Sequence, residues 1–173
     1  MSRYCSMLIA WGCMLLLVIA PAASIYYLFD LGSFAHLATQ SLNLPIQWQS
    51  VVSWQWYGLW GITVLYLGVG LVGLHYLRRA FSNFARGELF TLDNSRYLRV
   101  FAVLLLTQAV LKPLHFALAS LLLSWNHPPG QKVLSIALGS TEVKVLVLAM
   151  ILWVMSDLLV KGCQLDDENK QFV

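Results

Sequence analysis

Gln108, Lys112 and His115 recur at i, i+4 and i+7 inside an otherwise apolar stretch, so a helix would carry all three on one face. Pro113 stands among them. It has no backbone N–H, which leaves the carbonyl of Ala109 without its helical donor. A lysine near the middle of a bilayer costs roughly 2.5–3.5 kcal/mol on insertion scales, and such a residue faces a partner or a water-filled cavity. An amine, an imidazole and an amide on one face can pass protons or hold a small polar solute. They can also be a satisfied polar patch that fixes helix register, which is the simpler reading. At about 1.5 Å per residue, Lys112 lies roughly 18 Å along its span, and Thr63 and Tyr66 of the preceding antiparallel span come to nearly that level. The expected cluster is therefore Thr63, Tyr66, Gln108, Lys112 and His115. Glu142, roughly 10 Å higher, and Asp157, roughly 13 Å lower, are the candidate counter-ions. Side chains lean toward helix N-termini, which favours Asp157 by direction, whereas distance favours Glu142. The counter-ion and the charge state of Lys112 both stay open.

Other constellations are thinner. Gly68 to Gly73 spells GxGxxG, but nucleotide binding needs a strand before the glycines and a helix opening at them. Here apolar residues flank the motif on both sides, and small residues let a neighbouring helix approach closely. His75 and His115 fall at different depths and could not clamp one haem iron. His36 and His127 lie outside the spans without ligand spacing. With Glu142 they form the one candidate for an enzymatic site. No nucleophile–base pair, paired acids or phosphate loop appears. The expectation is a non-enzyme with no catalytic residue, metal or cofactor. Cys5, Cys13 and Cys163 are odd in number and lack CxxC spacing, so all three read as free thiols.

The elements that must position these residues are membrane spans. Of 173 residues, 59% are apolar and 11% charged, and the mean hydropathy is +0.70. A soluble domain carries about 25% charged residues. Four apolar runs, about 7–29, 56–76, 100–124 and 142–160, approach or exceed the roughly 20 residues that cross a bilayer. The first resembles a secretory signal, with Ala20-Pro21-Ala22 as a nominal cleavage site. Its apolar run continues through Phe29, however, and reads as an uncleaved span. Residues 30–55 contain no lysine or arginine and lead into Trp54, Trp56, Tyr57 and Trp60, an aromatic belt suited to the membrane–water interface. Asn126-His127-Pro128-Pro129-Gly130 is a turn, and Val133–Leu138 is too short to cross.

Between the second and third spans, residues 77–99 form an arginine-rich corner. Leu77, Phe81 and Phe84 continue the helical spacing. Gly87 stops the helix, Thr91 caps the next, and Asp93 suits its first turn. Arg3, Arg78, Arg79, Arg86, Arg96, Arg99, Lys161 and Lys170 lie on one side of the spans, eight of the eleven basic residues. Lys132 and Lys144 lie on the other. The positive-inside rule then puts both termini and the corner in the cytoplasm, with loops 30–55 and 125–141 outside. The expected fold is all-α: a single integral membrane domain over residues 1–173, built as a four-helix bundle.

The corner reads Gly87-x-x-Phe90-Thr91-x-x-Asn94, preceded by Phe81, Asn83 and Phe84. The tail reads Leu165-Asp166-Asp167-Glu168-Asn169, with Phe172 and Val173 at the end. Together they resemble the bacterial four-span membrane family catalogued as domain of unknown function 2975, which pairs a G-x-x-F-T-x-x-N corner with an L-x-x-E-N-D-x-x-V tail. Lys170 stands where that family carries an aspartate, so any role of that acid does not transfer. The resemblance covers the chain from about Leu77 onward and implies no activity. Members often lie beside a small helix-turn-helix regulator, which implies a bacterial inner-membrane protein acting as sensor or membrane partner of such a regulator. Phe81, Phe84, Gly87, Phe90, Thr91, Asn94, Glu168 and Asn169 are the candidate partner surface. The alternative is a small transport or channel component working through the cluster around Lys112. The expected partners are the lipid bilayer and a cytoplasmic regulator protein, with no direct nucleic acid. A homo-oligomer is compatible with the glycine stripe.

Overall fold

The computed structural model describes residues 3–42, 46–89, 91–128, 130–136 and 139–171, and its regular elements are all helical: α1 Arg3–Phe29, α2 Leu31–Leu42, a short 3-10 turn Trp48–Ser50, α3 Ser53–Arg86, α4 Leu92–Leu123 and α5 Ser140–Gln171. Among the described residues, four helices are long and apolar enough to cross a membrane, with mean hydropathies of 2.3, 1.7, 1.6 and 2.3 over the best stretches of α1, α3, α4 and α5. Only 6–11% of the residues in those stretches are buried within the protein. An apolar surface of that extent needs a cover other than water, and a helix satisfies its own backbone groups in lipid. The chain is a multi-pass membrane protein.

The described residues fall into two compact units, one of Met1–Val18, Val69–Ala109 and Ser140–Val173, the other of Ile19–Gly68 and Val110–Gly139. The interior of the first unit is made of small residues. Ala80, Ala102, Ala149 and Ser156 are wholly buried, and the Ser95 hydroxyl donates to the Ser156 carbonyl at 2.7 Å. Small side chains let helix backbones approach, and a hydroxyl-to-carbonyl bond suits a setting without water.

The second unit has an aromatic core. Trp56, Leu59, Ala119 and Leu123 are buried together, with Phe34, Trp48 and Trp60 packed against them. The rings of Phe34 and Trp56 meet edge to face at 5.0 Å, a favoured arrangement of ring quadrupoles. Segment 30–55 reads as an outer loop from the sequence, yet much of it is helix α2. Asp30 starts that helix: its carboxylate accepts from the Ser33 amide at 3.0 Å and from the Ser33 hydroxyl at 2.6 Å. Those two bonds hold the Asp30 carboxyl below the ordinary carboxylate range. Asp30-x-x-Ser33 is a local capping signal, and it marks α2 in a stretch where the absence of lysine and arginine suggested only sidedness.

Beyond α4, the extended segment 131–136 is held by serine hydroxyls. The Val133 amide donates to Ser124 Oγ and the Ser135 amide to Ser120 Oγ, each at 3.0 Å. Alternate amides of an extended chain thus meet hydroxyls one helical turn apart.

Candidate functional site

In the second unit, α3 and α4 bring three of the expected polar residues together. Thr63 Oγ1 lies 3.1 Å from His115 Nε2, and the Tyr66 ring stacks on the imidazole with centroids 5.0 Å apart. They meet because α3 and α4 are continuous helices with a fixed rise per residue. Lys112 sits on α4 in the turn before His115 and is half-buried. Gln108 belongs to the first unit, where it lies over Gly70. A β-carbon on Gly70 would stand 2.6 Å from Gln108 Nε2. Gly73 faces Phe101 and Leu104, at 3.4 and 3.6 Å from its nominal β-carbon. The glycine stripe therefore makes room for α4 side chains, which is a packing use of the GxGxxG spelling.

Of the candidate counter-ions, Asp157 forms an ion pair with Arg99, whose guanidinium also lies over the Trp153 ring at 6.0 Å. Glu142 is buried in the first turn of α5, where a negative charge suits the helix dipole. His127 has both ring nitrogens engaged with backbone. Nε2 accepts from the Gln47 amide, and Nδ1 lies 3.2 Å from the Gln131 carbonyl. His36 is exposed on α2. Among the described residues no three His, Cys, Asp or Glu side chains converge on a metal-sized site.

The corner in the first unit is a built structure. Gly87 takes φ +91°, a left-handed conformation open to glycine at little cost. Its amide donates to the Phe84 carbonyl, and the Glu88 amide reaches the Asn83 carbonyl, both at 3.1 Å. That pair of bonds is a Schellman motif, which satisfies the last carbonyls of α3. Thr91 Oγ1 accepts from the Asn94 amide at 3.3 Å, capping α4, with Asp93 in the first turn.

Asn94 is wholly buried. Its carbonyl accepts from Asn83 Nδ2 at 2.8 Å, and its own amide donates to the Glu88 and Leu89 carbonyls at 2.5 and 3.4 Å. Asn94 thus faces inward, away from the partner surface assigned to it from sequence. Phe81 and Phe84 pack edge to face at 5.5 Å and are half-buried. Phe90 lies outside the described residues. Glu168 and Asn169 continue the backbone of α5, with side chains outside the description. What the corner presents outward is Leu89, Leu92, Glu88, Asp93 and Arg96. The sequence reading missed these because they follow no motif.

No curated protein and no solved structure matches the chain. A protein family does match, over residues 37–173, a range that holds the corner, the whole of α3, α4 and α5, and the polar cluster of the second unit. On that match the chain belongs to the family described as Protein of unknown function (DUF2975).

Proposed function

We propose that the chain is a non-enzymatic protein of the bacterial inner membrane, with both termini and the corner in the cytoplasm, and that it is the membrane partner of a small helix-turn-helix regulator. One observation carries the reading. Leu92 is 65% exposed and Leu89 47% exposed, on a turn that Asn94, Gly87 and Thr91 hold rigid. A large apolar side chain presented on a fixed turn among Glu88, Asp93 and Arg96 is the makeup of a docking point with a polar rim. The charge asymmetry supports the sidedness. A rigid epitope also binds at lower entropic cost than a loose loop.

The test uses full-length protein in nanodiscs and, as the probe, a purified small helix-turn-helix regulator of the kind that lies beside members of the family. Wild type is expected to retain the regulator, and Leu92→Glu to weaken it about tenfold or more, since a charge replaces the exposed apolar side chain that the partner would cover. No measurable binding by wild type, or equal binding by Leu92→Glu, overturns the reading.

A further inference from the structure

Along α3, His75, Arg78, Arg79, Ser82, Asn83 and Arg86 recur at i, i+3, i+4, i+7, i+8 and i+11. That spacing is one continuous helical face. Tyr97 of α4 closes the face into a cavity of about 400 Å³, within the first unit. Three guanidinium groups line it together with an imidazole, a hydroxyl, a carboxamide and a phenol, and among the described residues no carboxylate does. Among the described residues none of these three arginines is ion-paired with an acid. Arg79 instead lies over the Tyr97 ring at 6.0 Å.

Like charges lining one cavity repel one another whatever their helical spacing, so three cations there form an arrangement that an anion relieves. The cation type is informative as well. Every basic residue before Lys112 is an arginine, whose planar fork of donors matches the oxygens of a phosphate as an ammonium does not.

A second cavity, of about 320 Å³, shares Arg78, Ser82 and Arg86 with the first and continues along Met7, Ala10, Trp11 and Met14 of α1. These four fall at i, i+3, i+4 and i+7, an apolar helical face. A polar, cationic chamber and an apolar groove therefore meet at the same side chains. Arg78 follows directly on the apolar run that ends at Leu77, the level at which lipid phosphates lie in a bilayer. A free anion would use the chamber alone. A molecule with a phosphate and a hydrocarbon chain uses both.

We propose that this paired cavity is a binding site for an anionic membrane phospholipid, with its phosphate among Arg78, Arg79 and Arg86 and an acyl chain in the groove along α1. The inference rests on the membrane-crossing helices and is independent of any protein partner.

The test uses the full-length protein in detergent with phosphatidylglycerol or phosphatidylcholine of matched chains, read by native mass spectrometry. Inorganic phosphate is tried separately by thermal shift. Wild type is expected to keep a single phosphatidylglycerol, and R78Q/R86Q to hold it about tenfold more weakly. K144Q/K161Q removes the same charge at exposed positions outside both cavities, and is expected to bind as wild type does. Ala10→Leu fills the groove without touching an arginine and is expected to lose the lipid by a similar factor. It decides the matter should the arginine pair fail to fold. Equal retention of phosphatidylcholine, equal loss in K144Q/K161Q, or undiminished lipid in Ala10→Leu overturns the site. So does inorganic phosphate that stabilises wild type and Ala10→Leu alike while phosphatidylglycerol adds nothing.

Discussion

Asn94→Ala is expected to destabilise the protein by about 2–4 kcal/mol, because it removes three hydrogen bonds made by one wholly buried side chain at the centre of the corner. The Asn83 amide loses its acceptor, and the Glu88 and Leu89 carbonyls lose their donor. Alanine supplies neither, and the site is wholly buried. The loss exceeds the mean value of one hydrogen bond because three go at once, from a side chain with no exposure to solvent. Asn94→Asp is no rescue: it keeps an acceptor for Asn83 but sets a carboxylate against two carbonyl oxygens. Thermal unfolding of the purified protein in detergent, followed by circular dichroism, reads the effect. A change in stability below about 0.5 kcal/mol would show that water replaces the carboxamide, and that the corner is not held from within.

Gln55→Leu is the counterpart in the second unit and is expected to cost about 2–3 kcal/mol by the same reasoning. Gln55 is wholly buried at the start of α3. Its carbonyl accepts from the Val52 amide at 2.8 Å and from Asn126 Nδ2 at 2.9 Å, while its amide donates to the Leu122 carbonyl at 2.7 Å. The bond back to Val52 is the N3 half of a capping box, satisfying an amide that the helix cannot. The bond to Leu122 adds a second and shorter donor, beside the Trp125 amide at 3.3 Å, to a carbonyl at the far end of α4. One side chain thus closes the beginning of one helix and the end of another. Leucine matches its volume and supplies none of these bonds. Hydrogen exchange at the amides of residues 52–56 should rise in the variant. Unchanged protection there, with unchanged thermal stability, would mean the cap is dispensable.

The two residues show where the sequence stops being informative. Gly87 and Thr91 were legible as punctuation because their roles depend on their own backbone and on neighbours within a turn. The inward role of Asn94 was not, because it depends on Asn83 returning across the turn to meet it. Gln55 reads from sequence as the end of a loop, since its partner Leu122 is far away in the chain. Thr63, Tyr66 and His115 could be placed together because a helix is a ruler in depth. The same ruler says nothing about azimuth, so it could not tell that Gln108 turns toward Gly70. Nor does it place Arg99 of α4 against Asp157, a pairing between helices far apart in the chain. Helix α2 was lost in a reading governed by charge, although its cap was written in Asp30 and Ser33.

The three thiols differ in access: Cys13 and Cys163 are buried and Cys5 is exposed. Cys5 stands just before the first apolar run, on the same side as Arg3. The unmodified chain therefore carries its own chemical compass. A maleimide too polar to enter lipid should tag one position only, and only from the face that the N-terminus occupies. Inverted vesicles are expected to react and intact spheroplasts to stay unlabelled until they are opened. The reverse pattern would turn the whole protein over in its membrane.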